Sequence, residues 1–132
     1  MLPSLSCTYS HKGRGASVAR LFAKKYAVAL LARSPENFEP LAKEINDAGG
    51  KAIGISTDAS DSKSVQAAFE KLNKEFGGLP LAAAIYNVGG RFVRKPFLEL
   101  SEEEFEAGWE ANGYVQDHEL ARVDYTYRAN TC

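Results

Sequence analysis

The sequence predicts an α/β fold in which a doubly wound parallel sheet of three to four strands packs against four helices. Two observations support this prediction. Short, mainly apolar runs alternate along the chain with amphipathic segments of helical period. The connections between them are short. Strands that alternate with helices in this way form βαβ units, whose strands run parallel and whose crossovers are right-handed.

Three strands are predicted from apolar runs that are too short to be buried helices. A strand that is covered on both faces has little need of polar residues at alternate positions, and these runs fit that description. The predicted strands are 26–32 (YAVALLA), 51–57 (KAIGIST) and 81–87 (LAAAIYN).

A further strand has to come from residues 1–8, because a doubly wound sheet of order 3-2-1-4 places its first strand in the middle. This stretch contains Pro3, Ser4 and Ser6, which are poor residues for a strand buried on both faces. We therefore expect a short or frayed central strand, with Ser4–Thr8 as the residues able to pair.

The first two helices are predicted from apolar residues at three- and four-residue spacing. The first covers residues 16–25. The second opens at Ser34-Pro35, because serine can cap a helix and proline suits its first position, and it ends at Gly49-Gly50. The residues expected to face the core are Val18, Ala19, Leu21, Phe22 and Ala23 in the first helix and Phe38, Leu41, Ala42 and Ile45 in the second.

The third helix has Ser60, Asp61 and Ser62 as alternative caps and stops at Gly77-Gly78. The fourth begins at Ser101, which matches an S-x-x-E capping box with a glutamate three residues later. The apolar stripe of the third helix consists of Val65, Ala68, Phe69, Leu72 and Phe76, and Phe105 and Trp109 supply the apolar face of the fourth helix.

Composition narrows the classes of function. The 132 residues, of which 45% are hydrophobic and 25% charged, are ordinary for one globular domain. The net charge of −1 argues against a nucleic-acid partner, which usually meets a basic face. No apolar run reaches the roughly 18 residues of a membrane helix, and the N-terminus lacks the pattern of a secretory signal. We therefore expect neither nucleic acid nor membrane as a partner.

The cysteines and histidines form no recognisable ligand or disulfide pattern. Cys7 and Cys132 lie near opposite ends of the chain, which favours a reduced, cytoplasmic compartment. His11 and His118 have no companions at ligand spacing, so no metal site is expected.

A glycine-containing turn, Gly13-Arg14-Gly15, directly precedes the first helix. Such a turn suits a phosphate, because the backbone can approach closely and the helix dipole favours negative charge. The pyrophosphate of a dinucleotide would then meet Gly13, Gly15 and the N–H groups of Ala16 and Ser17. The alternative is a plain glycine turn before a helix.

Arg33 and Ser34 stand at the end of the second strand, where a site for NAD would place an acidic residue. A guanidinium at this position favours a 2′-phosphate instead, and Lys12 beside the glycines adds positive charge. The alternative is that Arg33 is a solvated residue at the end of a strand.

Residues 8–15 read T-Y-S-H-K-G-R-G and resemble the T-G-x-x-x-G-x-G fingerprint of the short-chain dehydrogenase/reductase family. Thr8, Gly13 and Gly15 match, and Tyr9 replaces the first glycine. The resemblance extends over about residues 8–113. It implies a partial Rossmann-type sheet that binds a nicotinamide dinucleotide.

The resemblance also implies roles for residues that follow the later strands. Asp58, with Ala59 beside it, matches the family's aspartate that contacts the adenine. The turn Asn87-Val88-Gly89 is similar to the family's N-A-G turn at the ribose. Asn112 matches the asparagine that supports a proton relay, which makes it the one catalytic candidate.

By the same resemblance, Lys12 and Arg33 point to NADP(H) as the cofactor rather than NAD. Each match has a plainer alternative. Asp58 could cap only a turn or the third helix, Asn87 could belong to an ordinary strand exit, and Asn112 could be a helix C-cap.

The family's Y-x-x-x-K pair has no counterpart, since none of the six tyrosines is followed four residues later by lysine. The resemblance therefore predicts an incomplete NAD(P)-binding domain over residues 1–113. Residues 114–132 form a divergent tail, for which an edge strand and disorder are the alternatives. The chain alone is expected to lack ordinary dehydrogenase activity.

Two other interpretations belong to different classes of function. The first is a non-catalytic interaction module that pairs with a full-length relative. The helix carrying Phe105 and Trp109 is the surface expected to form such a hetero-oligomer, or a homo-oligomer of this chain. The second is a nonfunctional truncated splice product.

Overall fold

The computed structural model describes residues 4–8, 13–88 and 93–109, and for residues 4–8 and Trp109 it describes the backbone alone. The chain divides into two compact units, an N-terminal unit of residues 1–87 and a C-terminal unit of residues 88–132. Each unit is described by itself.

The N-terminal unit alternates strands and helices in the predicted order. Its longest helix has 14 residues, and no helix among the described residues of either unit is long and apolar enough to cross a membrane. The elements are β1 (Ser4–Thr8), α1 (Arg14–Phe22), β2 (Ala27–Ala32), a 3₁₀ turn (Pro35–Asn37), α2 (Glu39–Asp47), β3 (Ala52–Ser56), α3 (Ser62–Glu75) and β4 (Leu81–Ile85). The C-terminal unit contains a 3₁₀ turn (Phe97–Glu99) and α4 (Glu102–Trp109).

The four strands form one parallel sheet of order β3-β2-β1-β4, which confirms the predicted α/β class and strand order. The short strand β1 lies between β2 and β4 despite its serines. It pairs with β2 from Ser4 to Thr8, and its register with β4 shifts between Ser4 and Leu5. The N-terminal segment therefore supplies the middle of the sheet.

Every residue of β2 is buried, because helices cover the sheet on both faces. Alternate side chains of a strand point to opposite faces. Val28, Leu30 and Ala32 belong to one apolar cluster with residues of α1 and α2. Ala27, Ala29 and Leu31 belong to a second cluster with residues of α3. The unbroken apolar run in the sequence thus supplies side chains to two separate apolar clusters, one on each face of the sheet.

The second helix does not open at Ser34-Pro35 as predicted. A 3₁₀ turn occupies Pro35–Asn37, α2 begins at Glu39, and Ser34 makes no capping hydrogen bond through its side chain. Pro40 explains the difference, because a proline inside a longer helix would remove a backbone hydrogen bond and clash with the preceding turn. At the second position of α2 it does neither.

The first helix is also displaced from its predicted range. It starts two residues earlier, at Arg14, and ends at Phe22, so the lysines that follow lie outside it. Leu21, predicted to face the core, is 62% exposed. The apolar contact of α1 comes mainly from the small residues Ala16 and Ala19, which let the helix approach the sheet closely.

The caps of the later helices follow the sequence. Among three alternatives for α3, Asp61 is the cap, since its carboxylate accepts a hydrogen bond from the Lys63 amide at 3.0 Å. The capping box of α4 forms reciprocally: the Glu104 amide donates to Ser101 Oγ at 3.2 Å, and the Ser101 amide donates to Glu104 Oε2 at 3.1 Å. Lys95 also pairs with Glu104, at 2.6 Å.

Gly54 should resist substitution, because a Cβ atom there would overlap the ring of Phe38, which is only 6% exposed. We expect Gly54→Ala to lower the free energy of unfolding by about 1–3 kcal/mol, the usual cost of overpacking. Urea unfolding followed by circular dichroism measures it. Gly108→Ala is the control, since outside its own helix a Cβ there meets no atom of the described residues within 4 Å. An unchanged unfolding midpoint for Gly54→Ala would contradict this packing.

Candidate functional site

The candidate site lies at the edge of the sheet where the strands end. Parallel pairing sets Thr8 of β1 beside Leu31 of β2, and Leu31 beside Ile55 of β3. The segments that follow these strands therefore leave the sheet at one edge, which is the edge where open α/β sheets bind ligands. From β3 towards β1, this edge carries Asp58, Arg33 and the turn at Gly13.

Gly13 is the N-cap residue directly before α1. Its backbone, at φ 114° and ψ −137°, has a conformation that only glycine adopts readily. The first-turn amides of any α-helix have no acceptor within the helix, and the dipole makes this end positive. Gly15 and Ala16 are buried in that turn. The Ser17 amide donates to the Gly13 carbonyl at 3.3 Å, and Ser17 Oγ donates to the same carbonyl oxygen at 3.4 Å.

Arg33 follows β2 directly and its side chain is exposed. Its backbone is fixed, because Ser56 Oγ donates to the Arg33 carbonyl at 2.7 Å. The adjacent Thr57 amide donates to the Ala32 carbonyl at 2.8 Å and extends the ladder between β2 and β3. A solvent-facing guanidinium thus stands on a rigid support, with the half-buried Ser34 next to it.

Asp58 is held in a turn by two serines. Its Oδ1 accepts hydrogen bonds from the Ser60 amide at 2.9 Å and from Ser60 Oγ at 2.6 Å, and its own amide donates to Ser64 Oγ at 3.0 Å. The Ser60 donors, with the positive charge of Arg33 adding to their effect, hold the pKa of the Asp58 carboxyl below its usual value. The cap of α3 is Asp61, so of the two plainer alternatives for Asp58 the turn is the one observed.

The remaining predicted site residues are only partly described. Ala59 and Asn87 are half-buried in the N-terminal unit, and Val88 is half-buried at the start of the C-terminal unit. Lys12, Gly89, Asn112 and the tail 114–132 lie outside the described residues, as does the Trp109 side chain.

Sequence reasoning missed the supporting role of the serines around Asp58 and Arg33. The sequence predicts Ser60 only as a helix cap, and it predicts no role for Ser56 or Ser64. The D-x-S spacing of Asp58 and Ser60 is a usable signal, because aspartate often accepts hydrogen bonds from the residue two positions later. The bond from Ser56 to Arg33 joins two strands and has no such local signal.

Together these groups give one sheet edge three chemical features in sequence. A positive helix tip can meet an anion, an exposed guanidinium can pair with a second anion, and an ionised carboxylate can accept hydrogen bonds from a neutral donor. This combination fits an extended ligand that carries phosphates and a polar ring.

Comparisons with known proteins show the family and the fold of this chain. The model of the short chain dehydrogenase family matches residues 8–114. A curated relative, the cis-4-hydroxycyclohexanecarboxylate dehydrogenase of Sinomonas cyclohexanicum, is 33% identical over 93 residues, which cover 70% of this chain and 36% of the relative. The chain thus spans about a third of the length of that relative.

Solved structures give the same answer for the fold. A 3-ketoacyl-ACP reductase from Sinorhizobium meliloti superposes with a TM-score of 0.84 at 28% identity, covering 95% of this chain and 48% of that one. An alcohol dehydrogenase from the archaeon Thermococcus sibiricus, complexed with 5-hydroxy-NADP, gives 0.79 at 28% identity, covering 99% and 55%. From the family match, the relative and the shared fold, the chain belongs to the short-chain dehydrogenase family.

Proposed function

We propose that this chain binds NADP(H) at the carboxyl edge of its sheet, as the dinucleotide-binding part of a short-chain dehydrogenase/reductase oxidoreductase. The observation that carries the proposal is Arg33, an exposed guanidinium on a backbone fixed by Ser56, at the strand end where an NAD site would hold a carboxylate. The solved alcohol dehydrogenase that resembles this chain was crystallised with a derivative of NADP.

The described residues fit such a dinucleotide at the pyrophosphate position. Apart from Gly13 and its two chain neighbours, no described residue has an atom within 4 Å of where a Cβ on Gly13 would stand, so the turn is open on that side. We assign the pyrophosphate to this turn with Gly15, Ala16 and Ser17, because the first-turn amides and the dipole favour an anion.

The other contacts follow the order of the strands. We assign the 2′-phosphate to Arg33, together with Ser34 and Lys12. We assign the adenine to Asp58 and Ala59, and the central ribose to Asn87, Val88 and Gly89. When bound, the nicotinamide supplies or accepts a hydride. The protein groups bind and orient the dinucleotide.

Arg33→Ala should reduce the affinity for NADPH about tenfold or more, because a charge-assisted hydrogen bond to phosphate contributes more than about 1.4 kcal/mol. The affinity for NADH, which has no 2′-phosphate, should change much less. Isothermal titration measures both. Lys43→Ala removes an exposed cation from α2 and is the control. Equal losses for NADPH and NADH would contradict the assignment of Arg33.

Gly13→Ala should weaken binding of both dinucleotides, because a side chain at φ 114° would strain the turn that receives the pyrophosphate. Gly49→Ala is a matched control, since Gly49 also has a positive φ of 85° and open space around its Cβ position, but follows α2. Both variants should lose stability, and only Gly13→Ala should lose affinity in titrations of folded protein. Unchanged affinity for Gly13→Ala would exclude this turn from the site.

We further propose that the 132 residues alone do not catalyse hydride transfer, with Asn112 as the only member of the family's relay set that they contain. A positioned acid is needed for the proton that accompanies the hydride, and no Y-x-x-x-K pair is present to supply it. The purified polypeptide should show no NADPH oxidation with carbonyl substrates by absorbance. NADPH-dependent turnover that Arg33→Ala abolishes would contradict this proposal.

A second candidate function is an interaction module that pairs with a longer relative. It is favoured by the exposed apolar side chains of the C-terminal unit: Phe105 is 57% exposed, Phe97 75% and Leu98 94%. The titrations above separate the two candidates. Absence of dinucleotide binding together with co-purification of a full-length relative would favour the module.

A further inference from the structure

We propose that Ser60 is a positioning residue, which orients the Asp58 carboxylate so that its second oxygen faces the adenosine part of bound NADP(H). This inference rests on the proposed function and deepens it. Ser60 itself has no direct contact with the dinucleotide in this proposal. It acts through Asp58.

The hydrogen bonds of Asp58 are divided unequally between its two oxygens. Oδ1 accepts both donors of Ser60, at 2.9 and 2.6 Å. Within the part of the chain that the structure describes, Oδ2 accepts none. A carboxylate has acceptor sites on both oxygens, so no donor of the described residues competes with an amino or hydroxyl group of a ligand for Oδ2. Ser60 therefore determines which oxygen is left for a ligand.

The turn at Asp58 does not depend on the Ser60 hydroxyl. The Asp61 amide closes the turn by donating to the Asp58 carbonyl at 3.2 Å, and Ser64 Oγ holds the Asp58 amide at 3.0 Å. Those bonds fix the backbone without the Ser60 side chain. The hydroxyl is exposed, and the one hydrogen bond it donates goes to the carboxylate. Its effect is therefore on the carboxylate itself.

The charges around Asp58 agree with an ionised acceptor. Arg33, at the end of β2, is the charged group whose field acts on this carboxylate. On the same segment, the Asp61 carboxylate instead accepts the amide of Lys63. Two donors from Ser60 and one nearby cation all favour the charged form. Because the carboxylate is already ionised and oriented, little free energy is lost in ordering it when a ligand binds.

The first test is the titration of the Asp58 carboxyl carbon, followed by ¹³C NMR in the unliganded chain. Ser60→Ala should raise the Asp58 pKa towards its ordinary value, because the hydroxyl donor is lost. Ser60→Thr, which keeps the hydroxyl, should leave the pKa lowered. Ser62→Ala is the matched control, since it removes another exposed serine hydroxyl two residues away. A Ser60→Ala pKa equal to that of the wild type would overturn the inference.

The second test measures NADPH affinity by isothermal titration at neutral pH. Ser60→Ala should bind about three- to tenfold more weakly, the usual range for one hydrogen bond, and Ser60→Thr should restore the affinity. In an Asp58→Ala background, Ser60→Ala should cause no further loss, because its effect passes through the carboxylate. Equal losses in both backgrounds would overturn the inference. Absence of NADPH binding by the wild type would instead overturn the proposed function, whereas the NMR titration still decides whether Ser60 controls Asp58.

Discussion

The burial of β2 on both faces is the constraint on which the candidate site depends. All six residues of this strand are buried, and alternate side chains join separate apolar clusters above and below the sheet. Burying a valine or leucine side chain contributes about 1.5–3 kcal/mol, so the position of β2 is strongly determined. Its neighbours must pair with it in a fixed register, since a shift by one residue would reverse the faces.

That register determines where the polar groups emerge. Parallel strands that end level with one another release their following residues at a common edge, and here Arg33 and Asp58 come from adjacent strands. The charge of Arg33 reaches the Asp58 carboxylate and helps to lower its pKa. The tip of α1, on the far side of Arg33, adds the positive end of a helix dipole. The packing of the apolar interior thereby brings together charged groups that are far apart in the sequence.

The sequence predicted the features that depend on the pattern of apolar residues. It did not predict features for which two local arrangements of the backbone or side chains compete. Apolar runs and their alternation with helices predicted the α/β class correctly, because burial dominates there, and the sheet order followed from the doubly wound topology. The start of α2 was mispredicted because Pro40 competes with Ser34-Pro35 as a helix start, and both arrangements satisfy the same apolar stripe. Leu21 was misassigned since small residues of α1 already fill the contact with the sheet.

The site shows why polar side chains are harder to assign than apolar ones. From the sequence, Ser60 is one of three possible caps of the third helix, but in the structure Asp61 caps the helix and Ser60 Oγ donates to Asp58. At the level of sequence, the turn and the binding role of Asp58 are alternatives. They are compatible, because one carboxylate oxygen serves the turn and the other keeps its acceptor capacity. A residue that satisfies its own loop can therefore be better prepared for a ligand than one that is free to move.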